Sequence, residues 1–165
     1  MAKTQITIPN EWVPRPYQLP LWSYLEGGGK HAVAVWHRRA GKDSLALNWT
    51  AAAAHMRVGV YWHMLPPQKH GRKVVWDGID KEGRRMIDQV FPEAISKSTN
   101  AQEMRIELKC GSIWQVVGSD NYDSLVGANP VGVVHSEFSV ANPAARRFLS
   151  PILKENEGWE VYIYT

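Results

Sequence analysis

The sequence has a single cysteine among its 165 residues, and it has no apolar run of the roughly 20 residues that a membrane-spanning helix needs. Cys110 alone excludes an internal disulfide bond, and no cysteine or histidine cluster has the spacing of a zinc site. The first residues, 1–12, have no apolar segment after their lysine, so they do not predict a secretory signal. These absences predict a cytoplasmic protein without a structural metal.

Internal repeats and low-complexity segments are also missing, and the net charge of +3 permits an anionic partner without requiring one. The hydrophobic fraction of 44% and the length of 165 residues fit one globular domain. Tryptophan is abundant, with eight residues in the chain. We expect most of these rings, Trp76 and Trp114 among them, to pack in the core rather than to stack on bases.

Short apolar runs alternate with a segment of helical character in the first half of the chain. HAVAVWH (31–37) predicts a buried strand, KDSLALNWTAAAAHMR (42–57) a helix, and VGVYWHML (58–65) a second strand that stops at two prolines. A later apolar run, VGVVHSE (131–137), predicts another buried parallel strand. The alternation predicts an α/β fold with a mostly parallel central sheet flanked by helices on both faces.

The region 69–91 has helical spacing that is interrupted near Gly78 or Gly83, so one broken helix or two short helices fit the pattern. Alternation of apolar and polar residues on both sides of Cys110 and Gly111 predicts a β-hairpin. The other predicted elements are the hairpin strands (103–109 and 112–118), a helix capped by Asn142 (142–156) and a final strand (159–165).

The segment HRRAGKDS (37–44) lies between the first strand and the first helix, where phosphate-binding loops occur. The usual pattern is G-x-x-x-x-G-K-[ST]; Gly41 and Lys42 match it, whereas Trp36 takes the place of the first glycine and Asp43 that of the hydroxyl residue. In such loops backbone N–H groups and the helix N-terminus bind phosphate, and the lysine adds a positive charge. The alternative is an ordinary strand-to-helix turn. The sequence context favours a nucleotide site.

Glu137 follows the apolar run 131–137 and is a candidate base for the activation of a water molecule. The acidic residue that usually precedes it and binds Mg²⁺ is replaced by Ser136. Because Asp43 replaces a hydroxyl residue in the loop, we hypothesise that a carboxylate and a hydroxyl have exchanged places around one Mg²⁺. Ser44 is an alternative hydroxyl ligand. In the simpler interpretation Asp43 only stabilises the helix N-terminus and Ser136 is a buried hydroxyl.

The six histidines lack the paired spacing of metal ligands, so most are expected to be structural or solvated. His135 precedes Ser136, but adjacent strand residues point to opposite faces of a sheet, and no G-x-S-x-G elbow is present. A serine hydrolase is therefore not expected.

Four motifs in a fixed order give the sequence a resemblance to a known family. They are RPYQ (15–18), RRAGK (38–42), GSDNYDSLVGANPVGVVHSEFS (118–139) and WEVYIYT (159–165). Together they resemble the ATPase domain of the large terminase subunit of tailed bacteriophages, a P-loop ATPase with an additional catalytic glutamate. The resemblance extends over nearly the whole chain.

This resemblance implies a role for each matching residue. Tyr17 and Gln18 would contact adenine, Arg38 and Lys42 would act on the phosphates of ATP, and Glu137 would be the catalytic carboxylate. The strand that ends at Thr165 would lie between the strands that carry the loop and the glutamate. The expected ATP contacts are Tyr17, Gln18, Arg38, Arg39, Ala40, Gly41, Lys42, Asp43 and Ser44, and the expected Mg²⁺ ligands are Asp43, Ser44 and Ser136.

The resemblance also implies the function and the partners. The chain would hydrolyse ATP to drive the packaging of double-stranded DNA into procapsids, in the host cytoplasm, as a phage or prophage protein. Its partners would be double-stranded DNA, the small terminase subunit, the portal protein and further copies of the chain in a ring. Residues 1–165 would form a single P-loop ATPase domain that stops short of the family's C-terminal part and lacks the nuclease domain.

One departure from the family pattern concerns catalysis. Val126 precedes Gly127 where many relatives have an arginine that acts on a neighbouring subunit's nucleotide. Arg105, Arg146 and Arg147 are possible replacements, and weak activity is expected for the isolated chain. Two alternatives stay open: a nucleotide-binding fragment that is inactive alone, and a helicase-like DNA-dependent ATPase, although HSEF lacks the acidic DEAD-type motif.

Overall fold

The computed structural model describes residues 7–165. Residues 1–6, which form half of the segment considered for a secretory signal, lie outside the described residues. The helices are α1 (Leu19–Glu26), α2 (Lys42–Met56), α3 (Gln68–Gly71), α4 (Met86–Val90) and α5 (Pro143–Glu155). The strands are β1 (His31–Val35), β2 (Val60–Leu65), β3 (Ser96–Asn100), β4 (Arg105–Leu108), β5 (Ile113–Gly118), β6 (Pro130–Ser136) and β7 (Trp159–Tyr164).

The seven strands form one sheet in the order β1-β7-β6-β2-β5-β4-β3. The five adjacent strands β1, β7, β6, β2 and β5 are parallel to one another. Strand β4 is antiparallel to both of its neighbours, β5 and β3. The predicted α/β fold and the hairpin of β4 and β5 are therefore confirmed. Strand β7 lies between β1 and β6, as the sequence resemblance implied.

Helices cover the two faces of the sheet and enclose separate cores. The larger core lies under α2, where Leu47 and Trp49 pack with Trp159 and Ile163 of β7. The smaller core lies under α5, whose Leu149 packs among side chains of β2, β5 and β6. Asn142 caps α5, because its Oδ1 atom accepts a hydrogen bond of 3.0 Å from the N–H group of Ala144.

One prediction about strands was wrong, and one strand was not predicted. Strand β1 was expected to be buried, but it is an edge strand of the described sheet, and Val33 is 63% exposed because the core under α5 does not extend to it. Strand β3, Ser96–Asn100, was not predicted, because its SKSTN sequence is polar and exposed and has no apolar alternation.

The interrupted helical region consists of short pieces, which agrees with the second predicted form. Helix α3 continues into a π-helical turn, Arg72–Trp76, and α4 follows after a loop that contains Gly83. The rings of Trp76 and Trp114 are buried and stacked 6.2 Å apart, which confirms that they are packing residues. No helix within residues 7–165 is both long and apolar enough to cross a membrane.

Candidate functional site

A cleft of about 740 Å³ lies at the C-terminal ends of β1, β6 and β7, next to the N-terminus of α2. Ligands of open α/β sheets bind at this edge of the sheet. The cleft brings together most of the predicted site residues, although they are up to about a hundred residues apart in sequence. Its lining includes Arg38, Arg39, Ala40, Gly41, Lys42, Asp43, Ser44, Ser136 and Glu137, with Tyr164 and Thr165 from the end of β7.

The loop between β1 and α2 presents an unblocked helix N-terminus to this cleft. Arg39 and Gly41 have φ angles of 63° and 76°, so the backbone turns sharply twice before the helix begins. A Cβ atom at position 41 would lie 3.1 Å from Nε2 of Gln18, so glycine suits the position for its size as well as its φ angle. No side chain of the described residues caps α2. The N–H groups of its first turn are therefore available to an anion.

Lys42 places its ammonium group at the end of the cleft. Its Nζ atom donates hydrogen bonds of 2.7 Å to the carbonyl oxygen of Trp36, 3.1 Å to that of His37 and 2.8 Å to Oγ1 of Thr165. An ammonium group has three donors, and each has an acceptor here. The contacts join the loop to the end of β7, and a phosphate oxygen entering the cleft would compete with them.

Asp43 connects the first turn of α2 to two neighbouring strands. Its Oδ1 atom accepts a hydrogen bond of 2.7 Å from Oγ of Ser136 on β6 and one of 2.9 Å from Nε2 of His63 on β2. His63 is completely buried, whereas the Asp43 side chain is 25% exposed and lines the cleft. The two residues of the exchange hypothesis are thus in direct contact.

The environment of Asp43 keeps its side chain ionised at neutral pH. Burial on its own would raise the pKa of the carboxyl group, but it is outweighed by the hydrogen bond and Coulombic attraction from His63, the hydrogen bond from Ser136 and the positive charge of Lys42. The pKa of Asp43 is therefore below its ordinary value. A negative charge faces the cleft beside the ammonium group of Lys42.

The oxygen atoms around Asp43 suit Mg²⁺. Ser136 donates its proton to Asp43 and keeps lone pairs for a cation, and Ser44 supplies a second hydroxyl group at the cleft. No cluster of three or more histidine, cysteine, aspartate or glutamate side chains in residues 7–165 could hold a metal ion. Mg²⁺ is commonly held by one or two carboxylates together with phosphates and water, so this donor set fits an ion that accompanies a nucleotide.

Glu137 stands directly after β6 in a strained backbone conformation. Its φ angle of 54° lies in the left-handed region, which is unfavourable for a residue with a Cβ atom. The side chain is exposed and lines the cleft, and no described residue donates a hydrogen bond to its carboxylate. Strain of this kind occurs often at functional sites. The turn leaves the Glu137 carboxylate available to a water molecule or ligand.

Tyr17 and Gln18 lie behind the loop and do not line the cleft. The hydroxyl of Tyr17 and Nε2 of Gln18 each donate a hydrogen bond of 2.8 Å to the carbonyl oxygen of Ala40. Oε1 of Gln18 accepts a bond of 2.9 Å from the N–H group of Arg15. In this structure Gln18 is buried and supports the loop backbone.

Arginine residues are distributed unevenly around the cleft. Arg38 and Arg39 are exposed and line it. Of the arginines considered as replacements for the missing trans-acting residue, Arg146 donates a hydrogen bond of 3.0 Å to the hydroxyl of Tyr162. Arg105 lies on β4, and neither it nor Arg147 lines this cleft.

Sequence reasoning missed His63 as part of the site. It lies within the apolar run VYWHML, and its nearness to Asp43 depends on how α2 packs on β2. The only signal was a polar residue at a buried strand position. His135 faces the opposite side of the sheet, where its Nε2 atom lies 3.2 Å from Oε2 of Glu160, so it does not act on Ser136. The two side chains therefore lie on opposite faces of the sheet, as the strand alternation predicted.

No model of a protein family and no curated protein matches the sequence. Solved structures of similar fold do exist. The ATPase domain of the large terminase from Thermus phage P74-26 is 17% identical with a TM-score of 0.65, covering 82% of this chain and 59% of that one. A mutant of the same domain is also 17% identical, with a TM-score of 0.71 and coverage of 94% and 66%.

A second similar structure is that of the large terminase of a thermophilic bacteriophage in complex with ADP. It is 12% identical with a TM-score of 0.67, and the match covers 90% of this chain and 38% of that one. The chain therefore spans between 38% and 66% of the length of these three structures. At these identities the comparison shows the fold alone: the chain has the α/β fold of these large terminase ATPase domains. The fold predicted from the sequence motifs is confirmed.

Proposed function

We propose that the chain is an ATP-hydrolysing motor domain of a phage large terminase and that it drives packaging of double-stranded DNA into procapsids. The observation that carries this proposal is the cleft in which an uncapped helix N-terminus, Lys42 and Glu137 meet. A helix N-terminus and a lysine suit a chain of phosphates, and the exposed carboxylate that follows β6 suits a water molecule that attacks them.

Each residue at the cleft has a distinct task in this proposal. The N–H groups of Gly41 and the first turn of α2 bind phosphate oxygens, and Lys42 and Arg38 neutralise the charge on the phosphates. Glu137 accepts a proton from water while the water oxygen bonds to the γ-phosphorus and the bond to the ADP oxygen breaks. The products are ADP and inorganic phosphate.

Asp43, Ser44 and Ser136 would hold Mg²⁺, and the bound ion would neutralise charge on the β- and γ-phosphates. Arg39 and Ala40 complete the phosphate loop. Tyr17 and Gln18, which border the loop on its far side, are assigned to the adenine end of the nucleotide; the ring of Tyr17 also packs edge-on against Trp36, at 5.8 Å.

The proposed partners are double-stranded DNA, the small terminase subunit, the portal protein and other copies of the chain in a ring, in the host cytoplasm. The ADP complex of the similar phage large terminase supports nucleotide as the ligand of this fold. A second candidate, a nucleotide-binding fragment that does not turn over alone, is favoured by Val126. This residue is 71% exposed, at the position where many members of the family that the sequence resembles have an arginine.

The test is ATP hydrolysis and ADP binding by the purified chain with Mg²⁺, measured over a series of protein concentrations. We expect Lys42→Ala to abolish nucleotide binding. We expect Glu137→Gln to retain binding and to lower turnover by about 100- to 10,000-fold, the usual contribution of a general base. Lys97→Ala, which removes an exposed lysine on β3, is the matched control and should behave like the wild type.

The outcomes separate the two candidates. Turnover that rises with protein concentration and is lost in both site variants supports a motor domain completed by a neighbouring copy. ADP binding that depends on Lys42, without turnover at any concentration, supports the binding fragment. An absence of nucleotide binding in the wild type contradicts both.

A further inference from the structure

His63 is a buried polar side chain whose imidazole ring contacts Asp43. Its position in β2 places it between Val116 of β5 and Val134 of β6, so apolar residues flank it in the sheet. The side chain has no exposed surface, and its Nε2 atom lies 2.9 Å from Oδ1 of Asp43. A fully buried imidazole is costly unless its polar atoms have partners, so this contact needs a physical explanation.

The hydrogen bonds define the tautomer of the imidazole ring. Ionised Asp43 can only accept a hydrogen bond, so the proton must be on Nε2 of His63. The other ring nitrogen, Nδ1, is buried and has no partner among the described residues. The contacts therefore identify Nε2 as the nitrogen that donates to Asp43.

The two oxygen atoms of Asp43 consequently have different surroundings. Oδ1 accepts hydrogen bonds from both His63 and Ser136. No residue in the described part of the chain donates a hydrogen bond to Oδ2, and Asp43 borders the cleft. Two donors from different strands hold Oδ1 in place. The arrangement leaves Oδ2 as the oxygen that is free to bind a cation.

We propose that His63 is a positioning residue for the Mg²⁺ ion of the nucleotide site, acting through Asp43. This inference rests on the proposed function. His63 and Ser136 hold Oδ1, so that Oδ2 is presented to Mg²⁺ without loss of conformational freedom on binding. The role is that of the outer partner that commonly orients a metal-binding carboxylate.

A merely structural role makes a different prediction. If His63 only fills space in the core, its loss weakens nucleotide binding to the same extent with or without Mg²⁺, because the whole loop is affected. If it positions Asp43, its loss weakens only the part of the binding that depends on Mg²⁺. The quantity that separates the two roles is therefore the Mg²⁺ concentration that gives half of the Mg²⁺-dependent increase in ADP binding.

The experiment measures binding of a fluorescent ADP analogue to the full chain, first in EDTA and then in a Mg²⁺ titration. Three variants are compared with the wild type. His63→Met removes the donor, and His63→Gln retains an N–H donor near the position of Nε2. His55→Met is the matched control, because His55 lies at the far end of α2 and bonds only to its own helix, through Ala51.

We expect His63→Met to raise the Mg²⁺ concentration at half-effect by about 10-fold or more, the usual cost of removing a carboxylate's outer partner. Binding in EDTA should stay within about twofold of the wild type, since the phosphate contacts do not involve His63. His63→Gln should recover most of the Mg²⁺ effect, and His55→Met should show no change. A folded His63→Met variant with wild-type Mg²⁺ dependence overturns the inference. A His63→Met variant that loses the same ADP affinity in Mg²⁺ and in EDTA also overturns the inference.

Failure of the proposed function gives a different result. If the wild type binds no ADP under either condition, the nucleotide site itself is wrong, and the positioning role fails with it. If the wild type binds ADP and only the His63 result is negative, the proposed function stands without this role.

A measurement on the wild type covers the case in which His63→Met does not fold. Nuclear magnetic resonance of the chain with ¹⁵N-labelled histidine reports the protonated nitrogen of each ring. We expect His63 to carry its proton on Nε2, with the signal shifted when Mg²⁺ and ADP are added. The absence of a proton on Nε2, or a signal that Mg²⁺ leaves unchanged in the presence of bound ADP, overturns the proposal.

Discussion

The hydroxyl of Ser136 lies 2.7 Å from the carboxylate of Asp43, although 93 residues separate them in the chain. Asp43 occupies the loop position that ordinarily carries a hydroxyl, and Ser136 occupies the strand-end position that ordinarily carries a carboxylate. Their contact meets the geometric requirement of the exchange hypothesis, because both oxygens border the same part of the cleft. The hypothesis itself is tested by exchanging the two residues back.

We expect the double variant Asp43→Ser with Ser136→Asp to retain more Mg²⁺-dependent nucleotide binding and hydrolysis than either single variant. Asp43→Ser alone removes the only carboxylate of the proposed ligand set, and Ser136→Asp alone places two carboxylates in contact and creates repulsion. The double variant restores one carboxylate and one hydroxyl group. A double variant no better than the worse single variant would contradict the exchange.

Gly41→Ala is expected to destabilise the fold by about 1–2 kcal/mol and to weaken nucleotide binding. The φ angle of 76° is unfavourable for alanine, and the added methyl group would press on Gln18 behind the loop. Gly28→Ala is the matched control, because Gly28 also has a positive φ angle, 91°, but has free space around it. Urea denaturation should show a loss in both variants, and ADP titration a loss in Gly41→Ala alone. Equal ADP affinity for both variants would contradict a role for the loop.

Much of the fold could be predicted because its signals are local. The helix α2 has an alanine-rich sequence, the strand β6 is a continuous apolar run, and Asn142 followed by proline marks the start of α5. The loop and Glu137 could be predicted to lie close together because each follows the C-terminal end of a predicted parallel strand, and such ends meet at one edge of a sheet.

The parts that could not be predicted depend on contacts between distant elements. The exposure of β1 depends on how far α5 extends across the sheet, which periodicity does not report. The pairing of His63 with Asp43 depends on the packing of α2 against β2, and the support that Gln18 gives to Ala40 depends on the position of the N-terminal segment. No local sequence pattern indicates any of these contacts, because each joins elements that are distant in the sequence.

Gln18→Leu is expected to weaken the binding of ATP and of inorganic triphosphate, because the Gln18 amide group holds the carbonyl oxygen of Ala40 in the phosphate loop. Competition of each ligand with a fluorescent ADP analogue measures the two affinities. Tyr17→Phe, which removes one hydroxyl from the same carbonyl oxygen, should have a smaller effect on both ligands. A Gln18→Leu variant that loses affinity for ATP alone would show that Gln18 acts only on adenine and does not support the loop.

Glu160 is a buried carboxylate, 2% exposed, on the face of the sheet opposite to Asp43. Its Oε2 atom accepts a hydrogen bond of 2.6 Å from the hydroxyl of Tyr162 and lies 3.2 Å from Nε2 of His135, and its Oε1 atom accepts one of 3.2 Å from Ser150. Burial alone would raise the pKa of Glu160, but these hydrogen bonds outweigh burial and hold it below its ordinary value of 4.5.

A lowered pKa in the folded state means that the unfolded chain binds the proton more readily. Glu160 therefore contributes stability that is fully present above pH 4.5 and is lost as the pH falls through its pKa in the folded state. We expect Glu160→Gln to lower the free energy of unfolding by about 1–3 kcal/mol at neutral pH, because hydrogen-bond donors around it lose an ionised acceptor. The difference between wild type and variant should then shrink as the pH falls below 4.5. Because Asp43 is present in both proteins, its own titration largely cancels in this difference.

Urea denaturation followed by circular dichroism, at a series of pH values from neutral down to about 3, measures that difference. Glu103→Gln is the control, since Glu103 is exposed and its carboxylate has no hydrogen-bond partner within the described range, so its substitution should change stability little at any pH. A difference between Glu160→Gln and wild type that stays constant over the whole pH series would show that the ionisation of Glu160 does not contribute to stability. A difference that disappears in acid assigns the neutral-pH stability to the carboxylate and its hydrogen bonds, because the shape of the side chain is almost the same in both proteins.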